Sequence, residues 1–172
     1  RAHVAVVPQE TFLFSRSVAE NIAFGRPGAP RERVEWAAGV AQFTRDLPDL
    51  PGGLDTLVGE RGVTLSGGQR QRVALARALL LDPRILILDD ALSSVDADTE
   101  EAILEGLLHL ARGRTTLLIS HRVSTVMNAD RIVVLEAGRV AESGAPGELL
   151  ARDGAFSRMH RQQQLERELE AL

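Results

Sequence analysis

Short runs of consecutive apolar residues restrict the fold of this chain more than any other feature of its sequence. Residues 85–88 are Ile-Leu-Ile-Leu, and residues 115–119 are Thr-Thr-Leu-Leu-Ile. Runs of this kind are typical of strands that are buried on both faces of a parallel sheet. A third β-type run, residues 3–7, is ended by Pro8. We therefore predict three strands of one parallel sheet.

Helical patterns alternate with these strands. Ser17 and Glu20 form a capping-box pattern, and a second helix starts near Pro30. A third helix is predicted over about residues 70–81, and Asp98 is placed to cap a fourth. This alternation of strands and helices predicts a layered α/β fold with a parallel-sheet core.

The remaining segments predict loops, a hairpin and a helical tail. Residues 46–53 are rich in proline and glycine and are expected to form a loop, and residues 54–65 are expected to be irregular. Residues 131–136 and 139–143 flank a glycine-containing turn and predict a hairpin. The tail is expected to be helical from about Pro146.

These elements group into three parts. We assign residues 1–10 and 82–156 to the sheet-containing core, residues 11–81 to a separate helical subdomain, and residues 157–172 to a C-terminal helix. The charged end of that helix either pairs with a partner or is a solvated end of the chain.

The composition excludes several classes of chemistry. The chain has 172 residues and no cysteine, so disulfides, thiolate metal sites and a cysteine nucleophile are ruled out. All 20 basic residues are arginine, so the chain supplies no lysine ammonium group. A net charge of −4 argues against a broad nucleic-acid-binding patch, and we predict no nucleic-acid partner.

Polar side chains follow each predicted strand. Gln9, the pair Asp89 and Asp90, and His121 come directly after the three runs or within two residues of their ends. In an open parallel sheet, ligands bind beyond the carboxyl ends of the strands. An apolar strand followed by two acids is the pattern of a nucleotide-bound Mg²⁺ site. The alternative is a strand-end turn that caps a helix, with His121 as a core histidine.

A glycine turn precedes the third helix. Ser66, Gly67, Gly68 and Gln69 could bind a phosphate, because glycines let the backbone approach the anion and a helix N-terminus favours negative charge. The alternative is a flexible turn with a serine cap.

Taken together, these patterns resemble the motifs of ATP-binding cassette (ABC) proteins. Residues 65–72, Leu-Ser-Gly-Gly-Gln-Arg-Gln-Arg, closely resemble the ABC signature, and residues 85–89 resemble the Walker B strand. Residues 93–96 resemble the D-loop, His121 resembles the switch histidine, and Gln9 resembles the Q-loop glutamine. Further segments resemble those of ABC exporters: residues 11–15, 20–22 and 56–62.

This resemblance implies the fold and the cofactors. It implies a P-loop NTPase fold of the ABC ATPase type, with a partial RecA-like core and an inserted helical signature subdomain. ATP and Mg²⁺ are the implied cofactors, with Asp89 and Gln9 at the metal. The implied catalytic residues are Asp90, His121 and Gln9, and the implied D-loop residues are Ser93 and Asp96.

The resemblance also implies partners. In the family, two nucleotide-binding domains pair head to tail, so the signature residues Ser66–Gln69 are expected to contact the nucleotide of a second domain. An ABC exporter also has transmembrane domains, which we expect upstream of this chain. The module itself is then expected at the cytoplasmic face of the cell membrane, where it hydrolyses ATP to drive export.

The sequence departs from the family pattern at two points. The Walker A loop, with its lysine, is missing, so we expect an N-terminally truncated domain that binds ATP poorly on its own and is inactive alone. Asp90 stands where most members carry a catalytic glutamate, which resembles the degenerate half of a heterodimer. A working aspartate base is the alternative. Two other functions stay open: a soluble ABC ATPase of repair or translation, and a partner module that does not hydrolyse ATP.

Overall fold

The computed structural model describes residues 3–59, 63–110 and 113–170, and the chain divides into two compact units between Ile119 and Ser120. The elements of the first unit are, in order, β1 (Val4–Val7), α1 (Val18–Ala23), α2 (Arg31–Val40), two 3-10 helices (Phe43–Asp49 and Gly53–Asp55), α3 (Gly67–Leu80), β2 (Ile85–Asp89), α4 (Ala97–Leu110) and β3 (Thr115–Ile119).

The three strands of this unit form one parallel sheet in the order β1-β2-β3. In the register, Val7 pairs with Leu88, and Asp89 pairs with Ile119. All three carboxyl ends therefore meet at one edge of the sheet. The predicted parallel sheet is confirmed, and so is the meeting of its strand ends.

The helices of the first unit cover one face of this sheet. Ala5, Val7, Leu86 and Leu88 belong to a continuous apolar core that also contains residues of α1–α4. The other face presents aliphatic side chains that are 38–54 % exposed: Val4, Val6, Ile85, Leu117 and Ile119. The prediction that these strands are buried on both faces is therefore wrong within the described residues of the first unit, because the helices of that unit pack on a single side of the sheet.

Two helices begin earlier than predicted, and one loop is ordered. Helix α3 starts at Gly67 and not at Arg70, because Ser66 caps it. Helix α4 is capped by Asp96, whose Oδ1 accepts from the Thr99 N–H at 2.9 Å, and Asp98 lies inside its first turn. The predicted loop 46–53 is largely 3-10 helix, and the fully buried side chain of Phe43 anchors the start of that helix.

The second unit contains α5 (Val123–Val126), β4 (Ile132–Glu136), β5 (Arg139–Gly144), α6 (Pro146–Ala151) and α7 (Ala155–Glu170). β4 and β5 form the predicted antiparallel hairpin. A separate apolar core holds this unit together, and its members include Val123, Leu149 and Phe156. Across the described segments of both units, no helix is long and apolar enough to cross a membrane. The predicted division into three parts stays a prediction.

Candidate functional site

The polar residues that follow β1 and β2 meet at the carboxyl edge of the sheet. Gln9 Nε2 donates to Asp90 Oδ2 at 3.3 Å, across 81 residues of sequence. The Asp90 backbone N–H donates to the Ile119 carbonyl at 2.9 Å, so the last residue of β3 also fixes this segment. Asp89, the final residue of β2, is solvent-exposed. Three of the predicted site residues therefore lie at one edge: Gln9, Asp89 and Asp90.

The backbone at Asp90 has a left-handed conformation with φ of 48°. Most side chains disfavour this region, but aspartate and asparagine are found there more often than other non-glycine residues. This turn reverses the chain after β2, and the Asp90 carbonyl accepts a hydrogen bond from Ser93 Oγ at 2.9 Å. An aspartate at this position is compatible with the backbone that the site requires.

The glycine turn is the first turn of α3, closed by a capping box. Ser66 Oγ accepts from the Gln69 N–H at 3.2 Å, and Gln69 Oε1 accepts from the Ser66 N–H at 2.8 Å. The N–H groups of Gly67 and Gly68 have no partner within the helix, because they belong to its first turn. Ser66 is solvent-exposed, so the turn is accessible at its serine.

A buried ion pair lies beneath this turn. Asp46 Oδ1 accepts from Gln69 Nε2 and from Arg72 Nη2, each at 3.0 Å, and Asp46 Oδ2 lies 2.6 Å from Arg72 Nη1. The Arg72 guanidinium also donates to the carbonyl groups of Gln42 and Gly68. Both polar ends of the Gln69 side chain therefore have partners within this chain.

Gln71 connects the glycine turn to the segment that follows Asp90. Its Nε2 donates to Ser93 Oγ at 3.1 Å, and its Oε1 accepts from the Ser94 N–H at 2.9 Å. Gln71 was not among the predicted site residues. A signal was present, since Gln71 is a polar residue on a helix that is otherwise almost completely buried over 71–80, and such residues need internal hydrogen-bond partners.

Arg77, further along α3, holds the segment after Gln9 and was also missed. Its guanidinium donates to the Asn21 carbonyl, to Asn21 Oδ1 and to the Phe12 carbonyl, and it lies 5.8 Å from the ring centroids of Phe14 and Phe24. Burial lowers the pKa of Arg77, but not into a range where the guanidinium loses its proton at neutral pH. One helix therefore contacts the segments that follow both β1 and β2.

The predicted D-loop residues Ser93 and Asp96 both have local structural bonds. Ser93 bridges Gln71 and the Asp90 carbonyl, and Asp96 caps α4. The Thr99 backbone N–H is the main cause that lowers the pKa of the exposed Asp96 carboxyl, with the Thr99 hydroxyl next. The carboxylate form is therefore favoured in the folded state.

We expect Asp96→Ala to lower the free energy of unfolding by about 1 kcal/mol at neutral pH, the usual cost of losing an N-cap. The pKa of Asp96 is lower in the folded state than in the unfolded state. Its contribution to the free energy of unfolding is therefore fully present above the unfolded pKa of about 3.9 and is lost as the pH falls through the lower folded pKa. Urea denaturation followed by the fluorescence of Trp36, the single tryptophan, measures both effects.

Asp96→Asn is the matched control, because asparagine also caps helices but does not titrate. It should retain most of the stability at neutral pH and lack this part of the acid sensitivity. Equal midpoints for the alanine variant and the unchanged protein at neutral pH would contradict the capping role of Asp96.

His121, the remaining predicted catalytic residue, belongs to the second unit. Its side chain is exposed, and its carbonyl accepts a hydrogen bond from Gln163 Nε2 at 2.7 Å. Its place beside Asp90 stays a prediction. No cluster of three or more metal-binding His, Asp or Glu side chains occurs among the described residues. A magnesium ion would therefore depend on one or two carboxylates and on phosphate oxygens, as is usual for nucleotide-bound Mg²⁺.

Comparisons with known proteins agree with the motif resemblance. Residues 1–93 match the family model described as "ABC transporter". The chain is 50 % identical over 163 residues to an ATP-dependent lipid A-core flippase of Chromohalobacter salexigens, covering 95 % of this chain and 28 % of that protein. It is 48 % identical over 165 residues to a "probable multidrug resistance ABC transporter ATP-binding/permease protein" of Bacillus subtilis, covering 96 % of this chain and 28 % of the relative.

A solved structure is also similar in fold. The structure of a bacterial Atm1-family ABC exporter with ATP bound superposes with a TM-score of 0.89 at 47 % identity, covering 95 % of this chain and 29 % of that one. At this identity and TM-score, the predicted ABC ATPase fold is confirmed. The chain spans a little over a quarter of the length of the relatives it matches, 28 % for the two described above.

Proposed function

Since the chain belongs to the ABC transporter family, we propose that it is part of an ATP-hydrolysing module that drives export of a substrate across a membrane. The observation that carries this proposal is the hydrogen bond between Gln9 and Asp90 beside Asp89, at the carboxyl edge of the parallel sheet. This edge is where open α/β sheets bind their ligands. The relatives are named as an exporter, a flippase and a permease. These names support export as the process that ATP hydrolysis would drive.

The residues at this edge fit the cofactors that the proposal requires. Carboxylate and amide oxygens are hard ligands that suit Mg²⁺, and Asp89 and Gln9 would hold the ion. When bound to ATP, Mg²⁺ neutralises charge on the phosphate oxygens. Asp90 would orient a water molecule, and the hydrogen bonds that hold its carboxylate to Gln9 and its backbone to Ile119 support this role. His121 would contribute to this same site.

The glycine turn would serve a different nucleotide, bound mainly by a second nucleotide-binding domain. The first-turn N–H group of Gly67 and the exposed Ser66 hydroxyl suit a phosphate group, and the buried Gly68 lets the turn pack closely against Ser94. Gln69 would hold the turn in shape for this phosphate, because its side chain closes the capping box and contacts Asp46.

The two sites of such a pair would be unequal. Aspartate is one methylene shorter than glutamate, and a misplacement of about 1 Å can cost roughly 100-fold in rate. We therefore propose a heterodimer in which this chain's own site is slow and its intact signature completes the faster site of the partner. Transmembrane domains in the same polypeptide, outside these 172 residues, would place the module at the cytoplasmic face of the membrane.

The test is ATP hydrolysis by the full-length protein that contains this chain, together with its partner. Ser66→Arg should abolish turnover at the partner's site, because the long cationic side chain fills the turn and removes the cap. Asp90→Asn should leave most of the turnover intact, since the neutral amide disables only the slow site. Hydrolysed phosphate measured over a range of ATP concentrations gives both results.

Two outcomes would count against the proposal. If Asp90→Asn removes turnover as completely as Ser66→Arg, the site of this chain is not degenerate and the asymmetric pair is wrong. If the unchanged protein binds its partner but hydrolyses no ATP, the chain belongs to a module that only completes an assembly.

A further inference from the structure

The side chain of Gln163, on the C-terminal helix α7, makes two hydrogen bonds to the backbone next to His121. Its Nε2 donates to the His121 carbonyl at 2.7 Å, and its Oε1 accepts from the Val123 N–H at 2.8 Å. Gln163 is half-buried at this contact. One primary amide thus satisfies an acceptor and a donor that lie two residues apart.

This geometry is the one that a neighbouring β-strand would supply. In an extended chain, the C=O of one residue and the N–H of the second residue after it point to the same side. Arg122, between the two contacts, is extended, with φ of −89° and ψ of 120°. The Gln163 amide therefore takes the place of the N–H and C=O groups that one residue of a neighbouring strand would offer.

A second contact fixes α7 to the same segment. Arg167 lies one helical turn after Gln163, on the same face of the helix, and its Nη2 donates to Ser124 Oγ at 2.8 Å. On the other side of the segment, the Arg122 N–H donates to Ser120 Oγ at 3.0 Å. The backbone from Ser120 to Ser124 is therefore held by hydrogen bonds within the second unit.

We propose that Gln163 is a positioning residue for His121, so that the C-terminal helix sets where the predicted switch histidine stands. This inference rests on the proposed function, because it gives His121 a role in ATP hydrolysis. Only glutamine provides both halves of the contact: glutamate lacks the donor, leucine lacks donor and acceptor, and asparagine is one methylene shorter.

The neighbouring residues supply a matched control. Residues 162–164 are three consecutive glutamines, and Gln164 is exposed, about 100° around the helix from Gln163. Gln163→Leu removes both hydrogen bonds while it keeps a good helix former, and Gln164→Leu makes the same chemical change away from His121.

The first measurement is amide hydrogen exchange in this chain. The Val123 N–H should lose protection in Gln163→Leu and keep it in Gln164→Leu. The second measurement is ATP turnover by the full-length protein with its partner, under conditions that isolate the site to which His121 belongs. There Gln163→Leu should lower kcat by about fivefold, as expected when a reacting group loses part of its orientation, and leave KM for ATP within about twofold.

Dependence on His121 separates positioning from simple stabilisation. In a His121→Ala background, Gln163→Leu should cause no further loss of kcat, because the residue through which it acts is gone. Gln163→Glu, which keeps the acceptor for Val123 and loses only the donor, should reduce kcat as well. It provides a second variant if the leucine protein is unstable.

The proposal is overturned if both Gln163 variants turn over ATP like Gln164→Leu, or if their losses add fully to that of His121→Ala. A fall in melting temperature with unchanged kcat also overturns it, since Gln163 would then be only structural. An unchanged protein that hydrolyses no ATP refutes the proposed function itself, and the inference about Gln163 with it.

Discussion

Asp46→Ala is expected to lower the free energy of unfolding by about 3–5 kcal/mol, the usual cost of removing one partner from a buried ion pair. The side chains of Asp46 and Arg72 are only 13 % and 9 % exposed. Without the Asp46 carboxylate, the Arg72 guanidinium stays buried and keeps its hydrogen bonds to the carbonyl groups of Gln42 and Gly68, but it loses its close ion-pair partner. Urea denaturation followed by Trp36 fluorescence measures the loss.

An exposed ion pair in the same unit provides the control. Asp55 lies 2.6 Å from Arg31, and their side chains are 69 % and 43 % exposed. Asp55→Ala should therefore cost less than about 1 kcal/mol. The double variant Asp46→Leu with Arg72→Met should recover most of the stability, because no unpaired charge stays buried. Similar losses for Asp46→Ala and Asp55→Ala would show that the buried pair contributes nothing special.

Gly68→Ala should reduce ATP turnover of the full-length protein by roughly 10-fold to 100-fold, because it displaces the glycine turn that would complete the partner's faster site. A Cβ at this position would lie 2.7 Å from the Ser94 carbonyl oxygen, which is backbone and cannot rotate away. Either the glycine turn or the backbone at Ser94 must then move, and a displacement of the turn approaching 1 Å from a productive geometry costs up to about 100-fold in rate. Measuring kcat under saturating ATP tests this expectation.

Gly39 is the control for an alanine placed in a helix. A Cβ there meets no atom within 4 Å, and Gly39 lies inside α2. Gly39→Ala should raise the free energy of unfolding by about 0.5–1 kcal/mol and leave turnover unchanged. If Gly68→Ala is as active as Gly39→Ala, the contact between α3 and Ser94 does not position the site.

The sequence was sufficient to predict the parallel sheet and the meeting of Gln9 with Asp90. The reason is physical: parallel strands share the direction of their carboxyl ends, so polar residues that follow separate apolar runs must meet at one edge. The glycine turn was predicted only in part: the sequence placed Ser66–Gln69 beside a helix start, but the structure shows that Gly67 and Gly68 belong to the helix itself.

Burial on both faces could not be read from the strands themselves. An apolar run such as residues 85–88 predicts a strand that avoids water on both faces, but it does not show which residues cover each face. In the described part of the chain, Leu86 and Leu88 are covered by helices, and Ile85 is 38 % exposed. The apolar pattern predicts that a strand face is covered, but it does not identify the residues that cover it.

The missed residues are all polar groups whose role depends on tertiary contacts. Nothing in three consecutive glutamines distinguishes Gln163 from its neighbours until α7 is placed against residues 121–124. Gln71 and Asp46 were missed for the same reason, because their partners lie 22 and 26 residues away in sequence. The periodicity of apolar residues identifies the buried side of a helix, but it does not predict hydrogen bonds between residues that are far apart in sequence.

The aliphatic side chains that the helices of the first unit leave exposed on the three-stranded sheet also affect how this stretch of 172 residues behaves in solution. Val6 and Leu117 are 54 % and 52 % exposed on that face, among other aliphatic neighbours. Attraction between such surfaces weakens on cooling and strengthens in sulfate or phosphate. Dilute, cold preparations in chloride buffers should therefore keep copies of this chain apart, whereas salting-out steps during purification would drive them together.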